Sequence, residues 1–324
     1  MNAKKLSKAT WAVLLTLLTT AVLALALLAG CQQQTEQKSD EVIVSETADS
    51  TPSIDEPFYM LLVGNDSRTG TVEEDKPEYA DGLGRSDTTM LCRVDPTTYT
   101  LTLITVPRDT AIDWNGTRAK FNAAYQDEGI DGAIEQIKLL TGVDVYYYFD
   151  VGFEDFQNLV DALGGLTINV PVDMEMQDIV GGETVTLSAG EQNLNGVQAL
   201  VAARERHTFG DNQEAKRQVQ DRALVVAGIQ KVAQDSSLVE TAVSAMMQCA
   251  DTNMTQDQLS KLVTNFAQNA DKLTIYQATG PYAGDTDPDS GLWITVRDEA
   301  TWQQIIQAAD AGEDPSGIVP IPSV

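Results

Sequence analysis

From residue 58 onward, short apolar runs bounded by Gly, Asn, Asp and Pro alternate with stretches of helical period. This alternation constrains the fold more than any other feature. Residues 58–63, 88–94, 101–106, 143–149 and 166–170 read as strands. Asp95-Pro96-Thr97-Thr98 is a hairpin-like turn between the second and third, and Pro107 stops the third because it has no N–H for a ladder. Residues 132–140, 153–163, 195–204 and 213–232 carry helical patterns, the second ending at Gly164-Gly165. Residues 238–273 add one or two helices, 274–276 and 293–296 two late strands around a Gly/Asp/Pro-rich loop at 280–291, and 299–309 a last helix. Strands alternating with helices predict an α/β sandwich around a central sheet, in one domain over 58–318 with a tail at 319–324.

The amino-terminal residues have a different character. Lys4, Lys5 and Lys8 precede an uncharged apolar run over 11–28, the pattern of a secretion signal or a single membrane span. The run ends Leu28-Ala29-Gly30-Cys31, which resembles a bacterial lipoprotein lipobox. Residues 1–31 are therefore either a leader cleaved before a lipidated Cys31 or an uncleaved span. Both place the rest of the chain on the outer face of the cell membrane. Residues 32–57 are rich in Gln, Ser, Thr, Asp and Glu, too polar to bury a core, and read as a disordered linker. Cys92 and Cys249 are too few for a disulfide framework, although one bridge between them is possible. A single histidine, His207, rules out multi-histidine metal sites.

With 21 Lys+Arg against 48 Asp+Glu, the net charge is −27, which disfavours a general polyanion-binding surface. There is no basic recognition helix for nucleic acid. Yet arginines and aspartates recur together at element ends: Asp66 and Arg68, Arg85 and Asp87, Arg108 and Asp109, then Arg204, Arg206 and Arg217. Arginine offers forked donors to phosphate oxygens, and carboxylates suit Mg²⁺, so the pattern points to one local site for a phosphate and a divalent metal. Ligands of open α/β sheets gather at strand ends, where Asp66, Arg85, Asp87 and Arg108 fall. Arg204 and Arg206 would point about 200° apart on a continuous helix, so sharing a ligand requires the helix to end near Arg204. His207-Thr208-Phe209-Gly210-Asp211 supplies that stop, with Asp211 or Asn212 capping the next helix. Five basic and four acidic residues over 204–222 give this stretch a net +1, a local reversal that suits an anion site.

These stretches together resemble the LytR-CpsA-Psr family. The matching runs, in order, are Leu61-Leu62-Val63-Gly64-Asn65-Asp66-Ser67-Arg68, Gly84-Arg85-Ser86-Asp87-Thr88, Val106-Pro107-Arg108-Asp109-Thr110 and Lys120-Phe121-Asn122-Ala123-Ala124-Tyr125. Leu159-Val160-Asp161-Ala162-Leu163-Gly164-Gly165, Gln198-Ala199-Leu200 leading into Arg204-Glu205-Arg206-His207, and Arg217-Gln218 complete them, all within 58–231. The resemblance implies an α-β-α sandwich with a central mixed sheet, forming a single extracytoplasmic domain. It also implies a phosphotransferase that moves a glycan phosphate from a polyprenyl-pyrophosphate carrier onto peptidoglycan. Teichoic acid, capsule and other wall glycans all fit as the polymer. By motif position Asp66 and Asp87 would hold Mg²⁺ (or Mn²⁺), and Arg108, Arg204, Arg206 and Gln218 would contact the pyrophosphate. Arg85, Arg118, Lys120, Asp211 and Arg217 belong to the same region, with Asp211 or Asp109 a candidate base.

The chemistry suits these residue types, because pyrophosphate cleavage needs charge stabilisation more than covalent catalysis. The lipid needs an apolar trough, which the helical patterns at 132–140 and 153–163 could line. One departure stands out. The family usually carries an arginine three residues after the aspartate matching Asp211, and here that residue is Glu214. Two other readings use the same site: a hydrolase with water as acceptor, and a non-catalytic module that binds polyprenyl phosphate or wall polymer.

Overall fold

The computed structural model describes residues 52–76 and 84–323. The apolar run at 11–28, Cys31 and most of the 32–57 linker lie outside the described residues. Among the described residues no helix is long and apolar enough to cross a membrane.

The strands are β1 (Phe58–Asn65), β2 (Ser86–Asp95), β3 (Thr100–Thr105), β4 (Ala111–Trp114), β5 (Thr117–Lys120), β6 (Val145–Val151) and β7 (Leu166–Val170). They continue as β8 (Met174–Gln177), β9 (Thr184–Leu187), β10 (Gly190–Leu194), β11 (Asp251–Thr252), β12 (Thr274–Thr279), β13 (Gly284–Thr286) and β14 (Trp293–Thr295). The helices are α1 (Phe121–Thr141), α2 (Phe153–Ala162), α3 (Gly196–Arg204), α4 (Gln213–Gln234), α5 (Val239–Cys249), α6 (Gln256–Gln268) and α7 (Glu299–Asp310).

The central sheet has the order β11-β6-β1-β2-β3-β12 and is mixed, as expected. β1 runs antiparallel to β2 and parallel to β6, while β3 is antiparallel to β2 and parallel to β12. The β2–β3 turn forms because Asp95 accepts from the Thr97 and Thr98 amides at 3.0 and 3.1 Å. Alternate residues of a strand point to opposite faces, and both faces here are covered. Tyr59, Leu61, Val63, Leu91 and Ile104 pack with Phe121, Ile137, Trp302 and Ile305 of α1 and α7. Phe58, Met60, Met90, Cys92 and Leu103 pack with Val243, Leu259, Leu262 and Phe266 of α5 and α6, with Val225 and Ile229 of α4 alongside. A third apolar cluster gathers α2, α3 and the β7–β10 strands.

Several boundaries move. Ile54 is buried in the α5–α6 face, and Asp55 pairs with Lys261 at 2.6 Å, so the domain begins inside the segment read as linker. The helix expected over 132–140 starts at Phe121 and bends at Gly129 (φ 62°, ψ −143°). Cys92 and Cys249 are both free thiols. The first helical pattern sits in the cluster under α7 and the second in the α2–α3 cluster, so the two do not share one apolar wall.

Candidate functional site

The carboxyl ends of β1 and β3 and the amino end of β2 lie at one edge of the sheet, and the strand pairing brings their polar residues together. Asp66, immediately after β1, is 6 % exposed. Its amide donates to the Arg85 carbonyl at 2.9 Å, and its Oδ1 accepts from the Arg85 amide at 2.6 Å. Its Oδ2 lies 3.5 Å from the Arg85 guanidinium and 3.8 Å from that of Arg68. Gly84 makes this approach possible: its φ is +81°, and a Cβ there would sit 2.6 Å from the Ser67 nitrogen. Asp87 Oδ1 accepts from Arg108 Nη1 at 2.6 Å, and 31 % of the Asp87 side chain is exposed. Arg108 is aimed by the turn after β3, where the Thr110 amide donates to the Pro107 carbonyl at 2.9 Å.

The other half of the site comes from the α3–α4 junction. Asn195 and Gln198 form a capping box that fixes the start of α3, and the helix ends at Arg204. Glu205 leaves the helical region (φ −66°, ψ 133°), Arg206 follows at φ −143°, and a short 3₁₀ turn spans His207–Phe209. The predicted stop therefore frees Arg204 and Arg206 from opposite helix faces. Asn212 takes the N-cap position of α4 with φ 57°, but no side chain caps the helix, contrary to expectation. Asp211 is exposed and makes no side-chain hydrogen bond among the described residues.

The Arg204 guanidinium lies 5.0 Å from the centroid of the Phe153 ring, and that of Arg68 lies 5.5 Å from the same ring. Burial, then the like charge of Arg68, lowers the Arg204 pKa. No carboxylate forms an ion pair with Arg204 among the described residues. A desolvated cation held on an aromatic face without a carboxylate is suited to an incoming anion. Sequence reasoning missed Phe153, whose position at the start of α2 carries no distinguishing signal.

Behind Asp87 is a buried polar cluster from α4. Arg217 is 4 % exposed. It donates to Glu214 at 2.5 and 3.3 Å, to Asp221 at 2.6 Å, to Thr88 Oγ1 at 3.0 Å and to the Asp87 carbonyl at 2.5 Å. Its donors are occupied by the protein, so it braces the site instead of presenting itself to a ligand. Burial pushes the Asp221 carboxyl up to about 6, against the pull of Arg217 and Thr88. Gln218 is 1 % exposed and its Oε1 has no hydrogen-bond partner among the described residues. Arg222 is also buried, donating to Thr105 Oγ1, and burial lowers it to about 10 with Asp221 opposing.

The remaining predicted residues lie further out. Lys120 pairs with Asp109 at 2.8 Å, which places it beside the Arg108 turn. Arg118 is on the β4–β5 hairpin, 40 % exposed and paired with Asp113 at 3.0 Å; no contact joins it to the Asp66–Asp87–Arg204 group among the described residues. Tyr125 donates to Asp150 at 2.6 Å and Asn65 to the same carboxylate at 2.7 Å, an anchor beneath the end of β1. Among the described residues no three His, Cys, Asp or Glu side chains could hold a metal ion by themselves. Asp66 and Asp87 are hard oxygen donors from adjacent strand ends, and Mg²⁺ typically takes one or two carboxylates and completes its shell with water and phosphate oxygens. That donor set fits an ion that arrives with a phosphorylated ligand.

The α-β-α sandwich is shared with solved structures of other proteins. The crystal structure of B. subtilis TagV superposes with a TM-score of 0.64 at 23 % identity, covering 79 % of this chain and 96 % of that one. TagT bound to LIIa-WTA gives 0.63 at 18 %, covering 83 % and 94 %. At that identity the likeness speaks for the fold alone. In sequence, the TagU protein of Bacillus mycoides (strain KBAB4), a polyisoprenyl-teichoic acid–peptidoglycan teichoic acid transferase, is 31 % identical over 267 residues, 80 % of this chain and 79 % of TagU. TagV of Bacillus subtilis (strain 168), of the same activity, is 32 % identical over 170 residues, 48 % and 44 % of the two chains. The LytR_cpsA_psr family model matches residues 25–309, and the chain belongs to that family.

Proposed function

We propose that this protein transfers a glycan phosphate from a polyprenyl-pyrophosphate carrier to a hydroxyl of peptidoglycan. The acceptor oxygen bonds to the glycan-side phosphorus, the bond from that phosphorus to the bridging oxygen breaks, and polyprenyl monophosphate leaves. Arg204 and Arg206 would meet the pyrophosphate, and Arg108 would approach it from the strand side. Fixed cations that face charge as it builds on the phosphoryl oxygens stabilise such a transition state without moving. Asp66 and Asp87 would hold a Mg²⁺ or Mn²⁺ ion, whose chemistry is to neutralise charge on the phosphates. The hydroxyl proton needs an acceptor. Asp109 is already paired with Lys120, whereas Asp211 is exposed and unpaired among the described residues, so Asp211 is the better candidate base. On this reading the domain works outside the cytoplasm, tethered by residues 1–31 through a span or a lipid on Cys31, where both substrates lie.

The observation that carries the reading is Arg204, half-buried against Phe153 and without a carboxylate ion-pair partner among the described residues, at the edge that also holds Asp66, Asp87 and Arg108. The named activity of relatives at 31 and 32 % identity supports the same reaction class. To test it, the protein is mixed with a short polyprenyl-pyrophosphate glycan, Mg²⁺ and a peptidoglycan oligomer, and the products are read by mass spectrometry. Glycan phosphate should appear on peptidoglycan and vanish in Arg204→Ala and Asp87→Ala. Transfer that persists in both variants would place the reaction elsewhere.

A further inference from the structure

Glu214 stands at a position where an anion-binding site gains nothing from a negative charge. Its surroundings give it a different use. Its two carboxylate oxygens grip one edge of the Arg217 guanidinium, Nη2 at 2.5 Å and Nε at 3.3 Å, and its Oε2 lies 3.6 Å from Arg108 Nε, an ion-pair contact without a hydrogen bond. Arg108 Nη1 in turn donates to Asp87 Oδ1 at 2.6 Å, and Arg217 Nη2 donates to the Asp87 carbonyl at 2.5 Å. The result is a closed ring: Asp87, Arg108, Glu214, Arg217 and back to Asp87.

Arg108 is steered by this ring. One edge faces Glu214 and Nη1 is fixed on Asp87, so Nη2, which makes no hydrogen bond among the described residues, is left for a ligand. Although burial opposes its charge, Glu214 is held ionised, with a pKa of about 2, by Arg217, Arg108 and Arg206. Burial also opposes the Arg108 charge, but Glu214 and Asp87 outweigh it and raise its pKa. The ring carries two positive and two negative side chains, and Arg217 also pairs with Asp221 at 2.6 Å, so the ring offers no surplus positive charge. Attraction for an anion then falls mainly to Arg204, with Arg206 shared between the anion and Glu214.

We infer that Glu214 is a positioning residue: it fixes the direction of Arg108 for phosphoryl transfer and, as a nearby negative charge, weakens ground-state binding of the pyrophosphate. Binding given up in the ground state and recovered in the transition state raises turnover. This inference rests on the transfer reaction proposed above.

The test uses the full chain in detergent, as wild type, Glu214→Gln and Glu214→Ala. Inorganic pyrophosphate with Mg²⁺ is titrated by calorimetry, and kcat and KM are measured with the polyprenyl-pyrophosphate glycan. Removing one negative charge beside Arg108 should tighten pyrophosphate binding by about three- to tenfold in Glu214→Gln. KM should fall with it, while kcat should drop by about tenfold as Arg108 loses its direction. This split has opposite signs in its two halves. A purely repelling charge would give tighter binding and faster turnover, and a merely structural residue would give weaker binding and slower turnover. Either result overturns the inference. A wild type that binds pyrophosphate but transfers nothing would sink the transfer reading and the turnover half together. The binding half would still be decided by Glu214→Gln.

Discussion

Arg217→Ala is the substitution whose cost follows most directly from the contacts. The side chain is 4 % exposed and holds two carboxylates, Asp221 and Glu214, together with Thr88 and the Asp87 carbonyl. Asp221 is itself 4 % exposed and, among the described residues, would keep one hydrogen-bond donor, the Thr88 hydroxyl at 2.8 Å, and the more distant charge of Arg222. Removing one partner of a buried ion pair strands the other charge, which typically costs about 3–5 kcal/mol. Urea unfolding at pH 7 should therefore show a loss of that size with an unchanged slope. Arg217→Met with Asp221→Leu should lose roughly 2 kcal/mol less than the sum of the single changes, because it strands one carboxylate fewer. The pH dependence has a definite sign. Asp221 has its folded pKa raised from 3.8 to about 6, so the folded state binds that proton more tightly than the unfolded chain does. The penalty for its charge is full above that window and is relieved as pH falls from about 6 towards 3.8. Without Arg217 the relief begins at higher pH, so the deficit of Arg217→Ala should shrink between pH 7 and pH 5. A loss under about 1 kcal/mol, or a deficit that grows on acidification, would refute the reasoning.

Three further outcomes follow from the same contacts. Arg204→Ala should reduce transfer by about a hundredfold or more while the melting temperature holds or rises, since it removes a desolvated cation repelled by Arg68; a fall of several degrees by differential scanning fluorimetry would make Arg204 a structural residue. Glu214 has its folded pKa depressed from 4.5 to about 2, so its ionic stabilisation is complete above pH 4.5 and lost as pH falls through about 2. The stability gap between wild type and Glu214→Gln, measured by urea unfolding, should be constant from pH 5 to 8 and close below that. Arg222→Met should leave stability within about 1 kcal/mol of wild type or raise it, because a buried cation whose Nε has no partner among the described residues is exchanged for an apolar chain of similar length; a loss above about 3 kcal/mol would show that Asp221 depends on it.

What the sequence discloses depends on how local the signal is. β1, β2, β3 and β7 announce themselves as apolar runs with turn residues at their ends, and the break after Arg204 is written in the Gly210-Asp211 stop. The start of α1 is hidden, because residues 121–131 mix Asn, Gln, Asp, Glu and Gly129 in a helix bent at that glycine. The β4–β5 hairpin has a legible turn, Asn115-Gly116 with φ of 50° and 78°, a hairpin signal that a search for apolar runs does not pick out. The arginines and aspartates of the site are visible as residue types, but their division of labour is not. Arg217 and Arg204 look alike in sequence. Only the packing of α4 against β2 makes Arg217 a saturated brace, while Arg204, at the end of α3, has no carboxylate ion pair among the described residues. The same convergence turns Glu214 from an apparent defect into a member of a ring with Asp87, Arg108 and Arg217.

The central claim is that a sugar hydroxyl, not water, attacks the phosphorus. The most direct measurement is to run the reaction with peptidoglycan oligomer in ¹⁸O-enriched water and weigh the glycan phosphate. A transferase gives glycan phosphate joined to peptidoglycan with no ¹⁸O, alongside polyprenyl monophosphate. Free glycan phosphate carrying one ¹⁸O, with the oligomer unmodified, would contradict the account and make this site a hydrolase.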